Sequence, residues 1–234
     1  MTPAPDYDQV APINDTRFHS TIDQVEDRLL AAYFSPPCDG ANVLDLGCGT
    51  GLLRDLTRPN IYAGIDSSPG MLDRLTAKYP DAWAVHGDLS SPTDRFDALD
   101  ALAPMAPFDT IVSMFAAHYF HSPELLSDLL PLLTPGGTVI FHGQLPRYER
   151  RANYIFDGVY HDHLTFIPAK VEADFREAGL TGVRSEGWNA VNDNVAARLK
   201  PSTLERLMRQ SRRLPARWSY HGAVIGTWKP DEVT

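Results

Sequence analysis

The chain has 234 residues, 43% hydrophobic and 22% charged, which is ordinary usage for a globular protein and favours one domain with insertions over two. Its formal net charge of −9 repels a phosphate backbone and disfavours nucleic acid as main substrate, and no apolar run approaches the ~20 residues that span a bilayer. Cys38 and Cys48 form neither a disulfide framework nor a zinc pattern, and the opening MTPAPDYDQVAP lacks the basic-then-apolar order of a secretory leader, so a cytoplasmic protein is expected.

Residues 1–16, rich in Pro and Asp, read as a loose arm. Ile22, Val25, Leu29 and Tyr33 recur at helical spacing and predict an amphipathic helix over 17–34, ended by Ser35-Pro36-Pro37. Short apolar runs then alternate with helical stretches. The runs predict strands over 42–46, 61–65, 83–85, 110–113 and 138–142, and helices over 51–58, 69–78, 93–102 and 122–133. This alternation predicts an α/β fold, a doubly wound and mostly parallel sheet with right-handed crossovers. Residues 144–166 are polar and aromatic without a period. Residues 168–178 read as a helix with Pro168 in its first turn and Gly179 behind it. Residues 180–188 and 219–228 alternate as two further strands around a helix over 201–213, which brings the sheet to seven strands. Arg206, Arg209, Arg212, Arg213 and Arg217 read as a solvated helix face or lid surface rather than a nucleic-acid patch.

The most informative stretch is Val43-Leu44-Asp45-Leu46-Gly47-Cys48-Gly49-Thr50-Gly51. It is an apolar strand that ends in an acid and turns through three glycines into a helix. Glycine permits positive φ and leaves the backbone bare, so a ligand can approach at the carboxyl end of the first strand, where open α/β sheets bind their ligands. A dinucleotide fingerprint requires G-x-G-x-x-G or Ala. Here the third glycine falls at 51 and Leu52 occupies the deciding position. Asp45 has no natural role beside a pyrophosphate and suits a ligand bearing positive charge, such as an amino group; the alternative is that it caps a turn.

VLDLGCGTG resembles the first motif of class I S-adenosylmethionine-dependent methyltransferases, and four later segments resemble the family's next elements in order, over roughly residues 41–143. They are Ala63-Gly64-Ile65-Asp66-Ser67-Ser68, His86-Gly87-Asp88-Leu89, Phe108 to Phe115, and Leu132 to Ile140 with its Pro135-Gly136-Gly137 turn. FREAGL over 175–180 is a weaker echo. The resemblance implies the seven-stranded Rossmann-like methyltransferase fold with helical lid insertions and S-adenosylmethionine as cofactor, released as S-adenosylhomocysteine. It implies that Asp45, Gly47, Cys48, Gly49 and Gly51 wrap the aminoacyl end and that Asp66, with Ser67, takes the ribose. Asp88 and Leu89 would contact adenine, while Met71 and Met114 complete the cofactor site. Two alternatives stand: Asp66 as N-cap of the helix after Pro69, and Asp88 as an ordinary Gly-Asp turn. Cys48 fills its position by size, with no reactivity assigned. Only 14 residues separate Gly51 from Asp66, so the first helix should be about a turn short, which leaves the adenosine side more open. The chain then divides into an N-terminal arm and helix (1–36), a cofactor-binding core (41–143) and lid insertions (144–166 and 189–217) within one domain.

Displacement at a sulfonium has a good neutral leaving group, so positioning dominates; a hydroxyl acceptor also needs a base. Histidines cluster in the loops expected around an acceptor: His118 and His121 beside Tyr119 after the fourth strand, His142 at the end of the fifth, His161 and His163 in the insertion. His118 and His161 are the candidate bases, against readings in which His118 shapes the cofactor pocket and the insertion histidines are surface or lid groups. Tyr119, His121, His142 and His163 are candidates for the acceptor side. The H-x-H pair lacks a third and fourth metal ligand, so no metal is expected. Tyr7-Asp8 resembles the start of small-molecule members, which makes Tyr7 a candidate lid residue. Tyr154, Phe156, Tyr160 and Trp188 could line an aromatic-tolerant pocket or fill a satellite core. The expected activity is methyl transfer to an oxygen or nitrogen of a small molecule, in specialised metabolism, by a monomer or homodimer. The alternatives are a non-methylating enzyme that uses the bound cofactor electrostatically, and a non-catalytic cofactor-binding partner protein.

Overall fold

A computed structural model describes residues 7–15, 21–145, 166–188, 191, 193–196, 198–211, 219 and 221–230. Seven strands form one sheet in the order β3-β2-β1-β4-β5-β7-β6. They are β1 (Asn42–Leu46), β2 (Ile61–Asp66), β3 (Trp83–His86), β4 (Phe108–Met114), β5 (Leu133–Gln144), β6 (Thr181–Trp188) and β7 (His221–Thr227). The first five pair in parallel, whereas β7 runs antiparallel to both β5 and β6. The order reverses at β1, which lies between β2 and β4. This is the switch point where the crevice of a doubly wound sheet opens.

Both faces are covered. Leu44, Leu46, Ile65, Ile111 and Phe141 face one cluster with residues of α5 (Pro92–Leu102), α6 (Pro123–Leu129) and α7 (Pro168–Glu177). Val43, Val112, Met114, Ile140, Ala223 and Ile225 face the other with α2 (Thr21–Cys38), α3 (Leu52–Leu56) and α4 (Pro69–Lys78). Each fully buried Leu, Ile or Phe contributes about 1.5–3 kcal/mol of transfer free energy, so the alternation along the strands dictates which helices lie on which face. Three helices start the same way, with Ser at the N-cap and Pro at the first turn. Ser68, Ser91 and Ser122 accept hydrogen bonds from the backbone N–H three residues on, and proline there loses no intrahelical bond.

Three boundaries differ from the sequence expectation. The arm contains a helix, α1 (Tyr7–Asn14), packed against α4. Helix α2 does not stop at Ser35-Pro36-Pro37 but runs to Cys38. There Phe34 and Cys38 are fully buried, Thr110 Oγ1 donates to the Pro37 carbonyl at 2.6 Å and Asp39 N donates to Ser35 O at 2.8 Å. The tertiary bond from Thr110, the local bond at the helix end and the buried contacts offset the two N–H groups that the prolines lack. The Pro-Gly-Gly turn lies within β5, with Gly136 at φ +87° and its N–H bonded to Trp228 O. The first helix after the glycines, α3, is only five residues long. Beyond the sheet, α8 (Asp193–Ala196) and α9 (Pro201–Ser211) bring Ala196, Leu204 and Met208 against Val25 and Leu29 of α2. Among the described residues no helix is long and apolar enough to cross a membrane.

Candidate functional site

The glycine loop sits where β1 ends at the switch point. Gly47, Gly49 and Gly51 have φ of +69°, +52° and +92°, a region that costs other residues about 1–2 kcal/mol each. The three are bare for different reasons. A Cβ on Gly47 would lie 2.4 Å from the Cβ of Ala116, and one on Gly51 would lie 2.6 Å from Leu75. A Cβ on Gly49 would meet nothing within 4 Å. Gly47 is thus required by packing as well as by its φ, and Gly51 chiefly by its φ, since the Leu75 Cδ1 it would meet ends a flexible side chain; Gly49 borders open space.

Two carboxylates flank this loop. Asp66, at the end of β2, accepts from Gly49 N at 2.8 Å through Oδ2 and from Ser68 N at 2.9 Å through Oδ1. It does not cap α4; Ser68 does, accepting from Met71 N. Burial raises the Asp66 carboxyl above its ordinary value against the lowering of those backbone bonds. Asp45 is buried within β1 and accepts from the Tyr62 hydroxyl at 2.7 Å through Oδ2. Its Oδ1 is buried and has no hydrogen-bond partner among the described residues. It caps no turn. Burial pushes its carboxyl up to about 7, against the lowering by Tyr62. Cys48 is buried with its thiol raised by desolvation, in keeping with its inert assignment.

The other cofactor-side candidates are less uniform. Met71 and Met114 are buried at the start of α4 and the end of β4, and Ser67 is exposed. Asp88 is exposed and turns inward on its own chain, accepting from Ser90 N and Ser90 Oγ at 2.8 and 2.6 Å, which is the Gly-Asp turn. Leu89 is buried in the core cluster beneath α5.

Helix α1 lies over the same end of the sheet. Asp8 accepts from Ser68 Oγ at 2.6 Å and from Gly70 N at 2.8 Å, and these bonds hold its carboxyl below the usual range. Asn14 donates to Thr50 in the glycine loop, and Thr50 donates to Asp15. The hydroxyls of Tyr7 and Tyr119 are 3.0 Å apart, and the His118 ring lies 4.1 Å from that of Tyr119. Tyr7 of α1 therefore meets Tyr119 of the 3₁₀ turn after β4 (Ala117–Tyr119), which also carries His118.

The remaining histidines separate. His121 is hydrogen-bonded through Nδ1 to Asp174 Oδ2 of α7 at 2.7 Å, on the face covered by α5–α7, where it ties the loop after β4 to that helix. His142 is buried on the opposite face, against Phe34, Phe115 and His221. His161 and His163 lie outside the described residues, as do Tyr154, Phe156, Tyr160, Arg212, Arg213, Arg217 and the side chain of Trp188. Sequence reasoning missed Tyr62, Phe115, His221 and Glu26. Tyr62 is set by the strand register, opposite Val43 and so diagonal to Asp45, which the sequence alone does not give.

The strand order with its antiparallel β7, the bare loop after β1 and the acid ending β2 define a Rossmann-like class I methyltransferase fold. The chain belongs to the methyltransferase-domain family, whose model matches residues 18–185. An uncharacterized protein of Haemophilus influenzae is 35% identical over 115 residues, 47% of this chain, which spans less than half (45%) of that protein's length. Among solved structures, a chain of the Haloferax volcanii complex between the Trm112 methyltransferase activator and a methyltransferase matches with a TM-score of 0.62 at 21% identity, covering 96% of each chain. A Thermotoga maritima SAM-dependent methyltransferase matches at 0.62 with 14% identity, covering 95% of this chain and 98% of that one. The plantazolicin methyltransferase BpumL, solved with a substrate analogue and S-adenosylhomocysteine, matches at 0.55 with 16% identity, covering 96% and 92%. At these identities the likeness establishes the fold.

Proposed function

We propose that this chain is an S-adenosylmethionine-dependent methyltransferase that methylates an oxygen or nitrogen of a small molecule. The observation that carries the reading is the pair of carboxylates around an open glycine. Asp45 holds a buried oxygen with no partner among the described residues, and Asp66 grips the loop at Gly49 where a Cβ would meet nothing. A buried carboxylate oxygen without a donor is costly and calls for a cationic or donor group from a ligand. The donor set fits the nucleoside: Asp45 would take its amino group, the backbone of Gly47–Gly51 its aminoacyl arm, and the remaining lone pairs of Asp66 its ribose hydroxyls. A phosphate-bearing dinucleotide fits poorly between two carboxylates.

When bound, the cofactor supplies a methyl group on a sulfonium, and its product is the neutral thioether S-adenosylhomocysteine. The chain's own contribution is orientation and exclusion of water. Helix α1 is bonded to the loop and to α4 through Asn14 and Asp8 and sets Tyr7 against Tyr119, the neighbour of His118; in this reading those three belong to the acceptor side. The net charge of −9 supports a small acceptor over nucleic acid. The test has two parts. Calorimetry with S-adenosylhomocysteine should give saturable one-site binding, and labelled cofactor incubated with small-molecule extracts should pass its label to a product heavier by one methylene unit. Absence of binding at millimolar ligand refutes the reading.

A further inference from the structure

A cavity of about 410 Å³ opens between α2, α3 and the loops that lead into β1 and β2. It lies at the amino end of those strands, away from the glycine loop at the carboxyl end of β1. Its volume falls within the range of small-molecule sites, roughly 300–1,000 Å³. Asp27, Ala31 and Ser35 recur every four residues along α2 and share one side of the helix, with Arg28 beside them. Val25, Leu29, Leu30 and Phe34 of the same helix are buried instead. Leu56 of α3 joins Ala31 as apolar wall. Backbone holds the rim: Arg58 N donates to Asp39 Oδ1 at 2.6 Å and Gly40 N to Arg58 O at 2.8 Å, which ties the two loops together.

The charges in this cavity do not all satisfy one another. Asp55 is engaged by Lys78 Nζ at 2.9 Å and by the Tyr79 hydroxyl, and Arg28 by Glu205 at 3.2 Å. Two groups are left over. Asp27 is half-buried and forms no hydrogen bond or ion pair among the described residues. Burial and the carboxylates of Asp23, Glu26 and Asp55 raise its carboxyl above the ordinary value. Arg58 directs one guanidinium nitrogen to the carbonyl of Thr57 and has no carboxylate partner among the described residues. An anion and a cation thus stand in one cavity beyond ion-pair distance of each other, with aliphatic wall beside them. A charge withdrawn from water without a partner is costly, and a ligand of opposite charge relieves that cost. Among the described residues no three His, Cys, Asp or Glu side chains stand close enough to hold a metal ion, so the chemistry points to an organic ligand.

We propose that this cavity is a second ligand site, separate from the cofactor crevice, that takes a small aliphatic zwitterion of the amino-acid class. The ligand's ammonium meets Asp27, its carboxylate meets Arg58, and its methylene chain lies on Ala31 and Leu56. Both polar contacts are charge-assisted, and the planar guanidinium fork suits a carboxylate. The Ser35 hydroxyl adds one donor and an acceptor at the wall. A simple amine or a simple carboxylate satisfies one of the two charges and turns its apolar end toward the other. A polyanion is repelled by Asp27, Asp39 and Asp55 together. The occupant borders α3, the five-residue helix that Gly51 caps, and so lies one helix behind the glycine loop.

The test uses the full chain, labelled with ¹⁵N and titrated with L-leucine, 4-aminobutyrate and 6-aminohexanoate while the amide resonances are followed. Butylamine and butyrate serve as singly charged controls. At least one zwitterion should move the amides of Ala31, Ser35 and Arg58 saturably at low-millimolar concentration, and both controls should bind about tenfold more weakly or worse. Asp27→Asn and Arg58→Gln should each weaken that zwitterion by about tenfold or more. Both variants should melt close to wild type, since neither side chain holds an ion pair in the fold. Silence of these amides toward all three zwitterions at tens of millimolar overturns the proposal. Affinity unchanged in either variant overturns it too, as does butylamine or butyrate binding as tightly as the zwitterion, which makes the cavity a site for a lone charge. Competitive displacement of the zwitterion by S-adenosylhomocysteine puts both ligands in one crevice and likewise overturns it.

Discussion

If the Asp45 carboxyl titrates near 7 in the free protein, binding a ligand ammonium beside it must expel a proton below that pH. At pH 6 a group of that pKa is protonated in about nine molecules of ten, and at pH 8 in about one of ten. Pairing with the ammonium favours the carboxylate, so S-adenosylhomocysteine binding should release about 0.9 proton at pH 6 and about 0.1 at pH 8, with roughly tenfold weaker affinity at the lower pH. Calorimetry in buffers of different ionisation enthalpy measures the released protons directly. In Asp45→Asn both the release and the pH dependence should vanish, and affinity should fall at pH 8. The same carboxyl makes a prediction about stability. Its folded value lies above its unfolded value of 3.8, so the stabilisation it gives is fully present below that pH and is lost as pH rises through about 7. Asp45→Asn keeps an acceptor for Tyr62 and removes the buried charge; it should stabilise the ligand-free protein at pH 8 by up to about 4 kcal/mol. Proton release equal in wild type and Asp45→Asn, or an Asn variant less stable at pH 8, would refute the assignment of Asp45 as the amine's partner.

Asp66→Ala strips the acceptor from Gly49 N and Ser68 N as well as from the ribose. It should weaken S-adenosylhomocysteine by roughly 10–100-fold, corresponding to about 1.5–3 kcal/mol; unchanged affinity by calorimetry counts against the ribose role. The glycines should separate by phenotype: Gly47→Ala collides with Ala116 and should fail to fold or melt far lower. Gly49→Ala meets open space and should cost about 1–2 kcal/mol of stability yet reduce cofactor binding more than Gly51→Ala does relative to its own melting loss. His121→Ala leaves Asp174 without its partner and should lower stability by about 1–3 kcal/mol in urea unfolding, with S-adenosylhomocysteine affinity unchanged; a binding defect at preserved stability would return His121 to the site.

The cofactor half of the molecule was legible because its constraints are local. A strand, an acid and a glycine turn are contiguous at 43–51, and the Ser-Pro pairs announce three helix starts within two residues each. The errors lie where distant chain decides. Prolines 36 and 37 read as a stop, but Thr110, seventy-three residues away, bonds the Pro37 carbonyl and α2 continues. The arm's helix exists because Asp8 finds Ser68 and Gly70, a partnership no periodicity reveals, least of all with Pro12 inside it. His121 followed its neighbours 118 and 119 in sequence yet points to the other face of the sheet, toward Asp174. His221 begins a strand more than seventy residues from His142, so its stacking partner becomes visible only once β7 lies beside β5.

The insertion of β7 between β5 and β6 also governs the order in which the chain can mature. Strand β6, at 181–188, pairs with β7 alone, so on the ribosome it must wait for residues 221–227 before it has a neighbour, leaving the growing sheet with an unsatisfied edge at β5. The family match ends at 185, inside β6 and before β7. A fragment cut there would therefore be an adhesive intermediate rather than a minimal enzyme, and expression trimmed to the matched segment should yield aggregates where the whole chain does not.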